Sequence, residues 1–187
     1  MKPIKVSLII LSIALNAQTA FAEKQARYLL GAISLPSKQS PNAFGSYSKG
    51  CLAGGVEMLE SGPTWQVMRL SRDRNWGHPD MITLLKNLSK SVAEKTSWNG
   101  IYIGDISQPR GGPMISGHAS HQLGLDADIW MLPAKNLNLT QSMRESISSI
   151  NIRSKNKKST NSNWTNEHVD VLKIFAKDPS VDRRAHV

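Results

Sequence analysis

The stretch GHASHQLGLDADIW, residues 117–130, gathers two histidines and two aspartates into one short segment of a chain that holds five histidines in all. From Leu125 to Met131 acidic and apolar side chains alternate, the period of a half-buried strand. Asp126, Asp128 and Trp130 are therefore expected on one face, and Ala127, Ile129 and Met131 on the other. Two carboxylates on one face repel each other unless a cation or hydrogen-bond donors offset them. His121 ends a glycine-rich loop, from which it can turn back toward Asp128. Zinc accepts imidazole nitrogen and carboxylate oxygen together, at roughly 2.0–2.2 Å. The residue types thus point to a metal site with His121 and Asp128 as ligands. His118 is a further candidate, as a ligand or as a residue behind the ligands. Asp126 is placed to orient an imidazole by hydrogen bond. Surface histidines beside a solvated acidic strand would leave the same letters, so the residues alone keep both readings open.

Upstream of this segment, Gly100–Asp105 reads as a strand, followed by a loop carrying Pro109, Gly111, Gly112 and Pro113. Asp105, at that strand's end, either faces the site or ends in solvent. Pro79 suits the first turn of a helix, where its missing N–H is no loss. Met81, Ile82, Leu84, Leu85, Leu88 and Val92 follow at helical spacing, which predicts a helix over residues 79–95. His78, just ahead, is expected to satisfy turn groups at the helix start, with a place near the site as the alternative. Trp65 to Leu70 reads as a strand with Trp65, Val67 and Arg69 on one face. Arg69 is then either a buried ion-pair partner or a clamp on a substrate carboxylate. Residues 23–50, rich in Ser, Gly and Pro, read as coil with short extended pieces around Arg27–Leu35. Downstream, Thr140 is a good cap for a helix. Residues 151–163 read as a flexible loop rich in Lys, Ser and Asn. A last helix is expected over Thr165–Lys177, with His168 exposed in its first turn. Strands and helices mix without strict alternation, so the fold class is α+β, an antiparallel sheet core with flanking helices.

The 187 residues suit one domain, and 40% hydrophobic residues suffice for a packed core. A formal charge of +9 favours an anionic partner. Residues 1–22 have a basic start, an apolar run and a small-x-small end at Ala20-Phe21-Ala22, the pattern of a secretory signal cleaved before Glu23. Without Lys2 and Lys5 the charge falls to +7, on a domain covering residues 23–187. The apolar run is shorter than the ~20 residues a membrane helix needs, and no other segment comes close. The mature form is therefore expected without a membrane span. An exported chain seldom meets chromosomal DNA, and aromatic interleaving among the basic residues is lacking, so nucleic acid is set aside as a partner. Cys51 is the single cysteine. In an oxidising compartment it is buried, paired with another molecule, or left without a former partner.

Three ordered stretches carry a family resemblance: GSYSKGC at 45–51, QVMR at 66–69 with GHPD at 77–80, and HASHQLGLDAD at 118–128. Together they resemble the penicillin-insensitive murein endopeptidases, zinc enzymes of the lysostaphin, D-Ala-D-Ala peptidase and hedgehog (LAS) type, over roughly residues 40–182. The resemblance implies a LAS-type fold and a periplasmic zinc hydrolase that cuts D-alanyl–diaminopimelate cross-links in peptidoglycan. It implies Zn2+ on His121 and Asp128, and peptidoglycan cross-link peptides as partners. Asp126, His78 and Arg69 match family positions near the site. The family's third zinc ligand and its proton shuttle come from a late His-x-His segment, which these 187 residues do not contain. The expectation is therefore a domain incomplete at its C-terminus, with the catalytic histidine unassigned, weak zinc binding and little activity. Some binding would survive if His186 folds back to the metal. The family's later cysteines are missing too, which would make Cys51 half of a lost pair. The alternative function is a non-catalytic peptidoglycan-binding module.

Overall fold

The computed structural model describes residues 25–115 and 118–182. The expected signal segment and His186 lie outside them. Two antiparallel strands, β1 (Asn42–Ser46) and β2 (Lys49–Ala53), form a hairpin in which Gly45 pairs with Gly50. Gly45 has φ 92°, and a Cβ there would meet the Lys49 carbonyl at 2.3 Å, so the GSYSKG turn depends on glycine. β3 (Val56–Glu57) pairs antiparallel with β6 (Trp76–Gly77). The main sheet has the order β4-β5-β7-β8, formed by Ser61–Gly62, Trp65–Val67, Ile101–Ile103 and Ile129–Trp130. Its outer pairs are antiparallel, while β5 and β7 run parallel. The α+β class holds, with a mixed rather than purely antiparallel centre.

The parallel pair has a simple cause. A parallel connection needs a crossover, usually a helix, and α1 (Pro79–Lys95) lies between β5 and β7 in the chain. His78 is its N-cap, accepting the Asp80 N–H at Nδ1 (3.3 Å). The helix buries Ile82, Leu85, Leu88, Ser89 and Val92, one stripe at helical spacing. Ile82, Leu85 and Val92 of that stripe pack with Trp65, Val67, Ile101 and Ile103 from the sheet, with Trp98, and with Val171 from α3 (Asn166–Lys177). The opposite sheet face carries Met68 and Tyr102, covered by Ala134 and Leu139. On that face the buried Gln66 exchanges two hydrogen bonds with the backbone of Leu139 (3.0 and 3.2 Å). Thr140 caps α2 (Gln141–Ser146) by accepting the Met143 N–H at its hydroxyl (3.3 Å).

Four expectations are corrected. Residues 25–31 are helical rather than coil, and the β1–β2 hairpin falls within and beyond the stretch read as coil. The strand at Trp65 ends at Val67, because Arg69 turns into the left-handed region at φ 59° and opens a short 3-10 turn over Leu70–Arg72. Strand β8 covers Ile129–Trp130 alone, so Asp126 and Asp128 precede it in extended but irregular chain. His168 is fully buried, not exposed. Thr165 N–H donates to its Nδ1 (3.1 Å), which leaves Nε2–H to donate to the Met131 carbonyl (2.9 Å). Its ring stacks on Trp164 and meets Trp98 edge-on. The 151–163 loop is tied internally by an Arg153–Thr160 bridge and by the side chain of Asn161 on the carbonyls of Asn151 and Arg153.

Candidate metal centre

Backbone pairing carries Asp128 to the edge of the main sheet. Gly104 N–H donates to the Asp128 carbonyl (2.7 Å), and Asp128 N–H donates to the Asp105 carbonyl (2.9 Å). These bonds extend the β7–β8 ladder by one step. A Cβ at Gly104 would lie 3.0 Å from both the Asp128 Cβ and the Trp130 Nε1. Glycine here lets the acid approach the strand end closely.

His121 is held more tightly. It is 3% exposed and sits at φ 64°, unusual for a residue with a Cβ. Its N–H donates to Asp126 Oδ2 (3.0 Å), and its carbonyl accepts the Ser107 hydroxyl. Its Nδ1 lies 3.0 Å from the Ile106 carbonyl and 3.2 Å from Asp126 Oδ2. A carbonyl can only accept, so Nδ1 carries the proton and Nε2 is turned the other way, 3.4 Å from Asp128 Oδ1. His118 packs edge-on against His121, with ring centroids 5.1 Å apart. One donor atom each from His118, His121 and Asp128 lies within 4.8 Å of the others. The structure thus brings together the three residues read as metal candidates, and places Asp126 behind His121.

Asp105, left open between site and solvent, is 3% exposed and faces the site. Its carboxylate takes Arg74 Nη1 at 2.6 Å and Arg72 Nη1 at 3.2 Å, and lies 3.5 Å from His118 Nε2. Gln122, which sequence reasoning did not assign, is also buried. Its amide accepts the Gly50 N–H (3.1 Å) and donates to the carbonyls of Ser48 (2.9 Å) and Ala119 (3.2 Å). It pins the hairpin turn onto the histidine loop. His78 caps α1, and its N–H donates to the Gly124 carbonyl (2.9 Å), which anchors the other end of that loop. Arg69 is not in a strand, and among the described residues no carboxylate forms an ion pair with it. It borders a cleft of ≈190 Å³ whose walls include Asp128, Trp130, Arg72 and Ser148. An arginine pair flanking an aspartate on the far side of a strand gave no local signal. Gln122, adjoining a candidate ligand, and Gly104, interrupting a strand, were the readable ones.

The charges reinforce one another. Burial alone would lower the His121 imidazole, but the Asp128 hydrogen bond and the charges of Asp126 and Asp128 outweigh it and raise it. Burial alone would raise Asp128, but its bond to His121 and the charges of His121, His118 and Arg72 bring it below the usual carboxylate range. Asp126 is raised, chiefly by burial. The His121 ring thus lies between the carboxylates of Asp126 and Asp128, whose charges favour its protonated form.

Fold and cluster together define an α+β domain with a His-His-Asp donor set whose aspartate lines a cleft bordered by Arg69 and Arg72. The chain belongs to the penicillin-insensitive murein endopeptidase family, whose family model matches residues 43–185. It is similar to proteins named penicillin-insensitive murein endopeptidase from three bacteria. The Haemophilus influenzae relative is 35% identical over 146 residues, 78% of this chain and 50% of its own length. The Pectobacterium atrosepticum relative is 34% identical over 176 residues, 93% of this chain and 62% of its own length. The Klebsiella pneumoniae relative is 34% identical over 172 residues, 91% and 62% of the two chains. The chain thus spans about half to three-fifths of the length of these curated relatives.

Proposed function

We propose that this chain is a zinc-dependent murein endopeptidase of the periplasm, acting on D-alanyl–diaminopimelate cross-links in peptidoglycan. The observation that carries the reading is the convergence of His118, His121 and Asp128 in a chain of this family. The donors suit zinc, which takes imidazole and carboxylate together. The partners behind them suit it too: the Ile106 carbonyl and Asp126 lie at His121 Nδ1, and Asp105 lies 3.5 Å from His118 Nε2, where acceptors stand behind metal-bound imidazoles. His121, Asp128 and His118 would hold the ion. A bound zinc ion polarises a scissile carbonyl and lowers the pKa of its water to ≈7. The chain's own contribution is to fix His121 with its proton on Nδ1, turned away from Asp128, and to line the approach with cations. The formal charge of +7 left once Lys2 and Lys5 are removed favours an anionic polymer such as peptidoglycan.

One observation favours the second reading, a module that binds without cutting. His78 serves as a helix cap and His168 is locked in the core. Among the described residues, no imidazole outside the cluster remains to move a proton at the cleft. Incubation of the zinc-loaded chain with cross-linked muropeptide dimers, followed by mass spectrometry, separates the two. Monomers that appear only with metal support the hydrolase. Chelator-independent retention on purified sacculi with no monomers formed supports the module.

A further inference from the structure

We infer that Arg69 recognises a carboxylate of the bound peptide, the one carried by the carbon next to the scissile nitrogen. The inference rests on the reading of the site as one for peptidoglycan cross-links.

Arg69 keeps a side chain where the backbone favours glycine, at φ 59° and ψ 49°. Residues held in this region tend to cluster at ligand clamps. Its guanidinium is fixed without being neutralised. It lies 5.5 Å over the Trp130 ring. Its other contacts are long and to neutral acceptors, the Arg144 carbonyl at 3.5 Å and the Ser148 hydroxyl at 3.4 Å. Glu145, whose charge it feels, is committed to the Ser71 N–H (2.8 Å) and hydroxyl (2.9 Å). No carboxylate of the described residues is within ion-pair distance of Arg69, whereas Arg72, Arg74 and Arg144 each have one. The uncommitted cation borders the same cleft as Asp128.

The chemistry of the cross-link supplies the matching group. Diaminopimelate carries a carboxylate on each carbon that bears an amine. When D-alanine acylates one amine, the carboxylate on that carbon stays free, two bonds from the scissile nitrogen. A peptide whose scissile bond lies at Asp128 brings this anion into the cleft that Arg69 borders. A planar guanidinium takes a carboxylate through two parallel bonds. Arg69 would therefore distinguish free from amidated diaminopimelate.

The test is calorimetric titration of metal-free protein, in chelator, with a cross-linked tetrapeptide dimer and with its counterpart amidated at that carboxylate. Neither zinc nor turnover enters the result. Wild-type protein is expected to bind the free acid about tenfold more tightly than the amide, the scale of one charge-assisted pair. Arg69→Gln should bring the two within about twofold, and Arg69→Lys should retain part of the difference. Equal binding by wild-type protein, no binding of either peptide, or undiminished discrimination by Arg69→Gln would each overturn the inference. The wild-type comparison decides even if a variant fails to fold. Loss of cleavage or of metal binding would count against the proposed function alone.

Discussion

His121 shows how much one position can be asked to do. Its backbone is left-handed, its Nδ1 is committed to a carbonyl, and its Nε2 faces an acid. In metal-free protein the raised imidazole contributes stability that is fully present below its unfolded value and lost as pH rises through the folded value. The lowered Asp128 contributes stability present above its unfolded value and lost as pH falls through the folded one. The melting-temperature gap between wild type and Asp128→Asn in chelator should therefore be widest from mildly acid to neutral pH. It should close above the imidazole range and in strong acid; a gap independent of pH would refute the charged pair. Asp105 acts one step further out. Asp105→Asn should weaken zinc binding about 10–100-fold, as loss of an acceptor behind a metal-bound imidazole does, measured by competition with a chromogenic chelator. His121 and Asp128 were legible because seven residues of local sequence place them. Asp105 was not, because its partners Arg72 and Arg74 and its target His118 lie distant in the chain and meet only in the folded sheet.

At the scale of elements, the helices from α1 onward were read well, while the helix at residues 25–31 was missed and the strands were read poorly. α1 matched residue for residue, because a proline start and a full apolar stripe over 17 residues are local signals. The strands are two to five residues long and defined by partners far away in sequence. Arg69 and Asp126 were assigned to strands for that reason. His168 was misread although the information was present: it shares the inward face of α3 with Val171 and Phe175. His168→Ala should cost about 3 kcal/mol in urea unfolding, from the cavity left and the orphaned Met131 carbonyl. A cost under about 1 kcal/mol would mean that the ring does not tie α3 to the sheet. Gly104→Ala makes an independent demand. The added Cβ meets two atoms at 3.0 Å, one of them the Asp128 Cβ. Zinc affinity should fall by at least about tenfold, since ligands must be held within about 0.5 Å of their working positions. An unchanged affinity would show that the close approach of β7 to Asp128 is dispensable.

At the scale of the molecule, the apolar core lies between the sheet and helices α1 and α3, on the far side from the face covered by Leu139. Rigid elements thus carry the cluster from behind: the end of β7, the start of α1 and the hairpin pinned by Gln122 all converge on the 118–128 loop. Two of these supports, the hairpin turn and the start of α1, fall in stretches that carried the resemblance, and a third stretch is the loop they hold, which is why the family was legible before the geometry was. The mixed centre of the sheet was not, since parallel or antiparallel pairing depends on which strands become neighbours. The central claim is that His121 and Asp128, with His118, share one divalent ion. Zinc content of the dialysed full chain, by mass spectrometry of the metal, tests it most directly. Two ligands alone would bind weakly, as the sequence leads one to expect; with His118 as a third donor the account predicts one zinc per wild-type chain, and less than about a tenth of that in His121→Ala and Asp128→Asn variants that remain folded, since few-donor zinc sites do not survive losing a ligand. Equal zinc in all three proteins, or none in any, would contradict it.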